Sequence, residues 1–508
     1  MTLNFRSSTA WDTAGRGHSV WVGLLMVLPW IAPWSPPPQA NTVPLLVSWA
    51  CIGGLLVLGL RITALDIARA WAVAALLSSL MGLIQYFGAA SFFHDAVHIA
   101  ALGEANANLR QRNQLATLLA IGILAVLWWQ AHGLDRRHAL WMLAFLAVGN
   151  AATASRTGLL HMGLVTALAL FGALRTRETQ RHRPDASRFL AIWALAVYFL
   201  ANAALPWSLS ALYGQDVVDA WTRMGHNEGC ASRRVLWANV IELIGQKPWT
   251  GWGWGELKYA HYITPYPGGP EQRFCAILGN AHNLPLHLAV TLGLPVAVVL
   301  LIALVALLWL AHPWQNRNPS VPLAGSVLLV IGLHSLLEFP LWYGPFQMAV
   351  LLCAAMLLTS EISLTPFTPL TPFTPFTQKA RRIVQGIGML MLAGVCVVGV
   401  DYARVHQIYS PPQERWGIWR NDPLGAAYSS WFFGRSATFA ELSMTRVSPE
   451  NAAWVLDTSL QMLHYSPEPK VVLQLMLSAH LLGRQDLVDL HRARWQAAFP
   501  NVPVPVMP

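Results

Sequence analysis

What most constrains this chain is the recurrence of long apolar runs along its length. A run of about 20 apolar residues with few charges is long enough to cross a bilayer as a helix. Lipid offers backbone groups no hydrogen-bond partner, so helices and closed barrels are the only spanning folds. Eleven helical runs can be read, at roughly 19–34, 43–60, 67–88, 113–131, 138–154, 157–174, 188–210, 284–311, 321–338, 341–360 and 383–401. Composition agrees: 55% of the 508 residues are hydrophobic and 11% are charged, against about 25% charged in soluble domains. The expected fold class is all-α, a polytopic helical membrane bundle.

Basic residues orient such a bundle, because loops on the cytoplasmic side carry the excess Arg and Lys. With the N-terminus inside, the inside loops and flanks hold Arg61, Arg69, Arg136, Arg137, the run RTRETQRHRPDASR (175–188), Arg317, Lys379, Arg381 and Arg382. The outside connections at 35–42 and 339–340 hold no Lys or Arg. The net charge of +9 belongs to this pattern and does not imply nucleic-acid binding. The 24 Trp fit interfacial anchoring against membrane lipids, with some in the bundle core. Residues 1–18 are polar, and no cleavable signal pattern is read there.

An odd number of spans puts the C-terminus outside. The expected layout is an inside N-terminus at 1–18 and a membrane domain at 19–401. A large outside loop spans 211–283, and an inside linker rich in Pro, Thr and Phe spans 361–382. An outside helical domain follows at 402–508. Proline at every third position of LTPFTPLTPFTPFT forbids helix and favours an extended spacer. Amphipathic patterns in the tail, broken at Pro449 and Pro467, read as short helices, in the manner of helix-pair repeats. Cys230 and Cys275 share the large loop and can close about 45 residues if that space is oxidising; sequence alone gives no distance between them.

Costly polar residues converge on the outer face. Gln111 and Asn113 lead into the fourth span in LRQRNQLATLL, and Arg156 lies in ASRTG between spans five and six. Arg233 and Arg234 lie in ASRRVLWANV of the large loop. His282 and Asn283 open the eighth span in LGNAHNLPLHLAVTLGLPV. Glu338 and Tyr343 flank the turn in LLEFPLWYG. Each has a plain alternative: Arg156 as an interfacial anchor, Tyr343 in an aromatic belt, Gln111 and Asn113 as helix caps, Glu338 as the partner of an arginine, His282 as a satisfied helix-end histidine. Their arrival on one face by an independent charge argument favours a site, since ionisable groups at membrane depth usually face a cavity or each other. Arginines suit a phosphate or diphosphate, and a histidine suits proton abstraction from a hydroxyl. Together they suggest group transfer from a lipid-linked diphosphate. His94, Asp95 and His98 in FFHDAVH have metal-ligand spacing only if helical, and the chain has no Asp-x-Asp motif.

The segments QRNQLAT, SRTG, RRVLW followed by PWTGWGWGEL, AHNLPLHLAVTLGLP and LLEFPLWY occur in this order. In this the chain resembles the bacterial protein O-oligosaccharyltransferases of the O-antigen ligase and polymerase superfamily, over residues 20–400. The tail resembles the periplasmic helical domain of the protein-glycosylating branch. The resemblance implies an inner-membrane enzyme with its site in the periplasm. It would move a preassembled glycan from undecaprenyl diphosphate to Ser or Thr of an exported protein such as pilin, with no cofactor and no metal. It implies catalytic roles for His282, Arg233 and Arg156, with His287 a second choice of histidine. It implies substrate-binding roles for Gln111, Asn113, Arg234, Asn283, Glu338 and Tyr343. Relatives commonly carry Pro and His where this chain has Arg112 and Gln114. The glycine- and tryptophan-rich part of the large loop is expected to cover the site. An O-antigen ligase acting on lipopolysaccharide core shares the chemistry and differs in acceptor. A glycan polymerase is disfavoured by the outside tail. A transporter would show paired repeats around a midplane site, and none is read; a non-enzymatic envelope-assembly protein would use the tail alone.

Overall fold

The computed structural model describes residues 9–59, 62–172, 185–214, 229–269, 272–310, 318–362 and 377–505. Among them there are helices and connecting loops but no β-strand. The first seven long helices are α1 (Thr9–Ile31), α2 (Thr42–Leu58), α3 (Ala64–Tyr86), α4 (Arg112–Ala131), α5 (Arg136–Ala152), α6 (Arg156–Leu170) and α7 (Asp185–Tyr213). The large loop holds α8 (Arg233–Gln246) and α9 (Leu257–Ile263), and after it come α10 (Leu284–Leu292), α11 (Leu294–Leu310), α12 (Ser320–Ser335), α13 (Gly344–Ile362) and α14 (Gln378–His406). The tail holds α15 (Pro423–Tyr428), α16 (Gly434–Met444), α17 (Ala452–Tyr465), α18 (Pro469–Leu481) and α19 (Gln485–Ala498).

Helices α3, α4, α7 and α14 are long and apolar enough to cross a membrane, and α1, α2, α6, α11, α12 and α13 are or contain shorter apolar helices. The described residues are thus an all-helical array whose apolar helices suit a membrane protein. Its centre is α4, whose apolar stretch is 89% buried, against 6% for α14 at the rim. Trp30, Trp71, Trp128, Tyr198 and Phe346 fill the core between the helices. Gly122 lets α3 and α4 close up, since a Cβ there would stand 2.3 Å from that of Ala75. A central α4 presents its N-terminus, with Gln111 and Asn113, in the middle of one face of the bundle.

Two expectations change. The eighth run is not one helix: it breaks at Gly293, which has φ 86°. Pro248 accepts a hydrogen bond from Leu294 N at 2.8 Å, while Trp252 N and Gly253 N donate to Val290 and Thr291 carbonyls at 2.8 and 3.0 Å. The PWTGWG segment thus replaces the helical bonds lost at the break, which explains why a break among apolar residues is tolerated. Helix α10 packs on α8 through Leu236, Val240, Leu243 and Val290, and α11 alone is the long apolar helix of this run. The linker is also shorter than 361–382: α13 runs to Ile362 and α14 starts at Gln378, capped by Thr377. The rest of that segment, and the basic run up to Arg183, lie outside the described residues.

The tail is not separate from the large loop. Tyr262 of α9 is buried among Leu442, Val455, Met462, Leu475 and Trp495, and its hydroxyl bonds His491 Nδ1 at 2.8 Å. Glu256 pairs with His464 at 2.7 Å. Helices α17 and α18 begin just after Pro449 and Pro467, as the tail pattern predicts. Cys230 and Cys275 are disulfide-bonded, with Cα atoms 5.5 Å apart.

Candidate active site

The Ala-His-Asn segment is held from both sides. Trp237 Nε1 donates to Ala281 O at 3.1 Å, and His282 N donates to Asn280 Oδ1 at 2.9 Å. Asn283 caps α10, accepting from Leu286 N at 3.0 Å, and its Nδ2 donates to Leu336 O at 3.0 Å. Between these clamps His282 adopts φ 50°, a left-handed conformation uncommon outside glycine. Its ring meets the edge of Phe339 at 4.8 Å between centroids.

Helix α12 ends beneath it and leaves orphan carbonyls, as helix C-termini do. Arg233 Nη1 donates to Leu337 O at 2.6 Å, beside the Leu336 carbonyl that Asn283 satisfies. The next residue, Glu338, is the hub. Its Oε2 bonds His282 Nδ1 at 2.5 Å, and its Oε1 pairs with Arg233 Nη2 and accepts from Asn113 Nδ2 at 3.0 Å. Ser155 Oγ then donates to Asn113 Oδ1 at 2.6 Å while capping α6 through Gly158 N. Gly158 has no room for a side chain, since a Cβ would lie 2.4 Å from Asn150 Oδ1. That packing sets Arg156, the next residue after the cap, at the exposed start of α6.

Burial by itself raises the Glu338 carboxyl, but the His282 hydrogen bond and the Arg233 charge outweigh it and hold the group below the usual carboxylate range. An ionised carboxylate only accepts, so His282 Nδ1 carries a proton, and in the neutral imidazole the lone pair is on Nε2. Nε2 has no hydrogen-bond partner among the described residues. Beside this network lies a cavity of about 470 Å³ lined by Gln111, Arg112, Asn113, Ser155, Arg156, Arg233, Trp237 and Glu338, with apolar Leu159, Leu160 and Leu337.

The structure therefore brings together His282, Arg233, Glu338 and Asn113 by direct contacts, sets Asn283 on the Leu336 carbonyl beside them, and adds Arg156 and Gln111 through the cavity wall. Glu338 is the internal partner of His282 and Arg233 and also lines the cavity. Gln111 is the cap of α4, accepting from Gln114 N at 2.7 Å. Arg234 is exposed beside Arg233 and does not line the cavity. Tyr343 stands back, packed 5.9 Å from Phe339 and within reach of the Asn41 side chain. His287 is buried edge-on to Trp342 at 4.9 Å, and Ala281 N donates to it at 3.4 Å. None of residues 248–255 lines the cavity; Trp254 instead stacks on Trp342 at 5.9 Å. At 90–96 the chain forms 3₁₀ turns broken at His94, so FFHDAVH does not present its histidines from an α-helix. Ser155 was missed, although its place before Arg156, three residues ahead of a glycine N–H, is an N-cap signal. His334 was also missed: it lies four residues before Glu338, fully buried, and bonds Thr117 Oγ1 at 2.8 Å.

The fold and site define a multi-pass helical membrane protein with an arginine- and carboxylate-lined cavity at one set of helix ends, and His282 bonded to the carboxylate beside it. Three family descriptions match in succession: protein glycosylation ligase over 105–129, O-antigen ligase over 141–301, and virulence factor membrane-bound polymerase, C-terminal, over 323–503. These matches support membership of the superfamily that holds the O-antigen ligases and protein glycosylation ligases. It is similar to a general O-oligosaccharyltransferase of Acinetobacter baylyi, at 25% identity over 54% of this chain and 47% of that protein. It is also similar to a ComP-specific O-oligosaccharyltransferase of the same organism, at 22% identity over 51% of this chain and 45% of that protein. The chain spans about half the length of the curated relatives it matches.

Proposed function

We propose that this protein transfers a preassembled glycan en bloc from undecaprenyl diphosphate to Ser or Thr hydroxyls of an exported protein, such as a pilin, at the periplasmic face of the inner membrane. One observation carries the reading: Glu338 accepts from His282 Nδ1–H and pairs with Arg233 at once, beside a cavity that Arg156 also lines. That leaves Nε2 of His282 as a base whose tautomer is fixed. In the reaction, the acceptor oxygen attacks the anomeric carbon and its proton passes to Nε2. The bond from the anomeric carbon to the diphosphate oxygen breaks with inversion, and undecaprenyl diphosphate leaves with the electron pair. Arg156 and Arg233 stabilise the charge that grows on it; guanidinium matches diphosphate oxygens bidentately. The protein glycosylation ligase match over 105–129 supports protein as acceptor. The disulfide between Cys230 and Cys275 supports an oxidising compartment for the loop beside the site.

The O-antigen ligase match over 141–301 favours a second reading, transfer to lipopolysaccharide core. Purified protein, an undecaprenyl-diphosphate-linked glycan and a candidate pilin, followed by intact-mass spectrometry, separates the two. A glycan-sized gain with wild type, lost in His282→Ala and in Arg233→Ala, is the expected result. Transfer to lipopolysaccharide core with no gain on any exported protein would move the chain to the ligase reading.

A further inference from the structure

The seam between the large loop and the tail encloses a cavity of about 140 Å³, lined by Lys258, His261, Arg273 and Cys275 on the loop side and Pro467 and Phe499 on the tail side. That is well above the ~10–15 Å³ a single water needs. Arg273 is 4% exposed. Its two Nη atoms donate to His261 O at 2.6 Å and Thr264 O at 2.9 Å, the carbonyls that end α9. Its Nε has no partner, and no described carboxylate pairs with it. Glu468, the acid whose charge is felt here, acts on Lys258. His261 is equally buried, and its Nδ1 faces Arg273 Nη2 at 3.5 Å. Its proton therefore sits on Nε2, which is a second buried donor without a partner. Burial, aided by the Arg273 charge, pushes this imidazole well below the usual histidine range, so the donor is a neutral N–H. Lys258 Nζ reaches the Tyr465 carbonyl at 3.3 Å and Arg273 lies over the Tyr266 ring at 5.3 Å, so the cations of this seam meet carbonyls and a ring face but no described carboxylate. An isolated buried charge of this kind is costly.

We propose that the seam cavity is an oxyanion-binding site in which Arg273, Lys258 and His261 hold one compact carboxylate or phosphate group. The occupant would bridge loop and tail, since residues of both line the cavity. Ile277 lines it as well, and His282 follows five residues later, no more than about 18 Å away along an extended chain. A carboxylate on an acceptor segment is one source of such an occupant; free phosphate is the other source of the same chemistry. The site stands apart from the transfer reading, because its test measures binding and not transfer.

The test is thermal unfolding of the full-length protein in detergent, followed by tryptophan fluorescence. Sodium phosphate and sodium acetate are titrated against sodium chloride at matched ionic strength. The expected result is a saturable rise in Tm with one or both anions, since a ligand that binds only the folded state stabilises it by mass action. A response to phosphate alone points to a phosphate occupant, and a response to acetate alone to a carboxylate. In Lys258→Gln and Arg273→Gln the concentration giving the half-maximal shift should rise about tenfold or more, the loss of one charge-assisted contact. If Arg273→Gln does not fold, Lys258→Gln carries the comparison. No saturable rise with either anion in the wild type would overturn the proposal. So would an undiminished response in Lys258→Gln, which would place the bound anion elsewhere, for instance at Arg156 and Arg233.

Discussion

At the scale of single residues, the site turns on one carboxylate with three partners. Glu338→Gln keeps the shape but removes the charge that fixes the His282 proton and holds Arg233. Charge-assisted hydrogen bonds contribute about 1.5–3 kcal/mol, so kcat for transfer should fall about 10–100-fold with a smaller change in donor KM, measured by initial rates on a pilin acceptor. The same carboxylate gives a pH signature. A carboxylate held below its ordinary value stabilises the fold above the unfolded value of about 4.3, and that contribution is lost as pH falls through the lower folded value. Melting temperatures measured down to about pH 3 should therefore drop more steeply on the acid side for wild type than for Glu338→Gln. A matching acid limb in the two proteins would mean that Glu338 is not the group responsible. The residue types of this site were legible because a membrane edge is a costly place for His, Arg and Glu. Their pairing was not, since Arg233, His282 and Glu338 come from three separate segments.

At the scale of elements, the helix ranges were legible and one break was not. Residues 284–311 read as a single apolar run, yet Gly293 followed by Pro295 carries the stop-and-start signal of two helices. What makes the break stable is remote in sequence: carbonyls and amides of 248–253. A Cβ on Gly293 would stand 2.2 Å from the Trp249 carbonyl oxygen at a φ of 86°. Gly293→Ala should cost about 1–3 kcal/mol, the range for a strained backbone position, and lower Tm. Gly332→Ala, inside α12 with nothing within 4 Å, should be neutral or slightly stabilising. The disulfide closes a 45-residue separation, which chain entropy values at about 4 kcal/mol. Reduction, or Cys230→Ser with Cys275→Ser, should lower Tm accordingly, and thiol titration of the unfolded protein should rise by two groups after reduction.

At the scale of the whole molecule, the loop charges give a topology that can be tested directly. A cysteine placed at Trp249 or at Ile418, both exposed, should react with a membrane-impermeant maleimide added to intact spheroplasts. A cysteine at Arg381 should react only after lysis, and the reverse pattern would invert the bundle and move the site to the cytoplasm. The sequence by itself determined that this protein is a helical membrane bundle, because apolar length and low charge leave the backbone no other way to satisfy its hydrogen bonds in lipid. Its basic loops, alternating with the spans, assign the ionisable groups to the outer face, the expectation that the labelling experiment tests. Only the tertiary structure decided that Glu338 joins His282 to Arg233, that Tyr343 and Arg234 stand outside the cavity, and that α9 of the loop is built into the core of the tail. Those facts depend on which distant segments pack together, and residue spacing along the chain carries no distance between them.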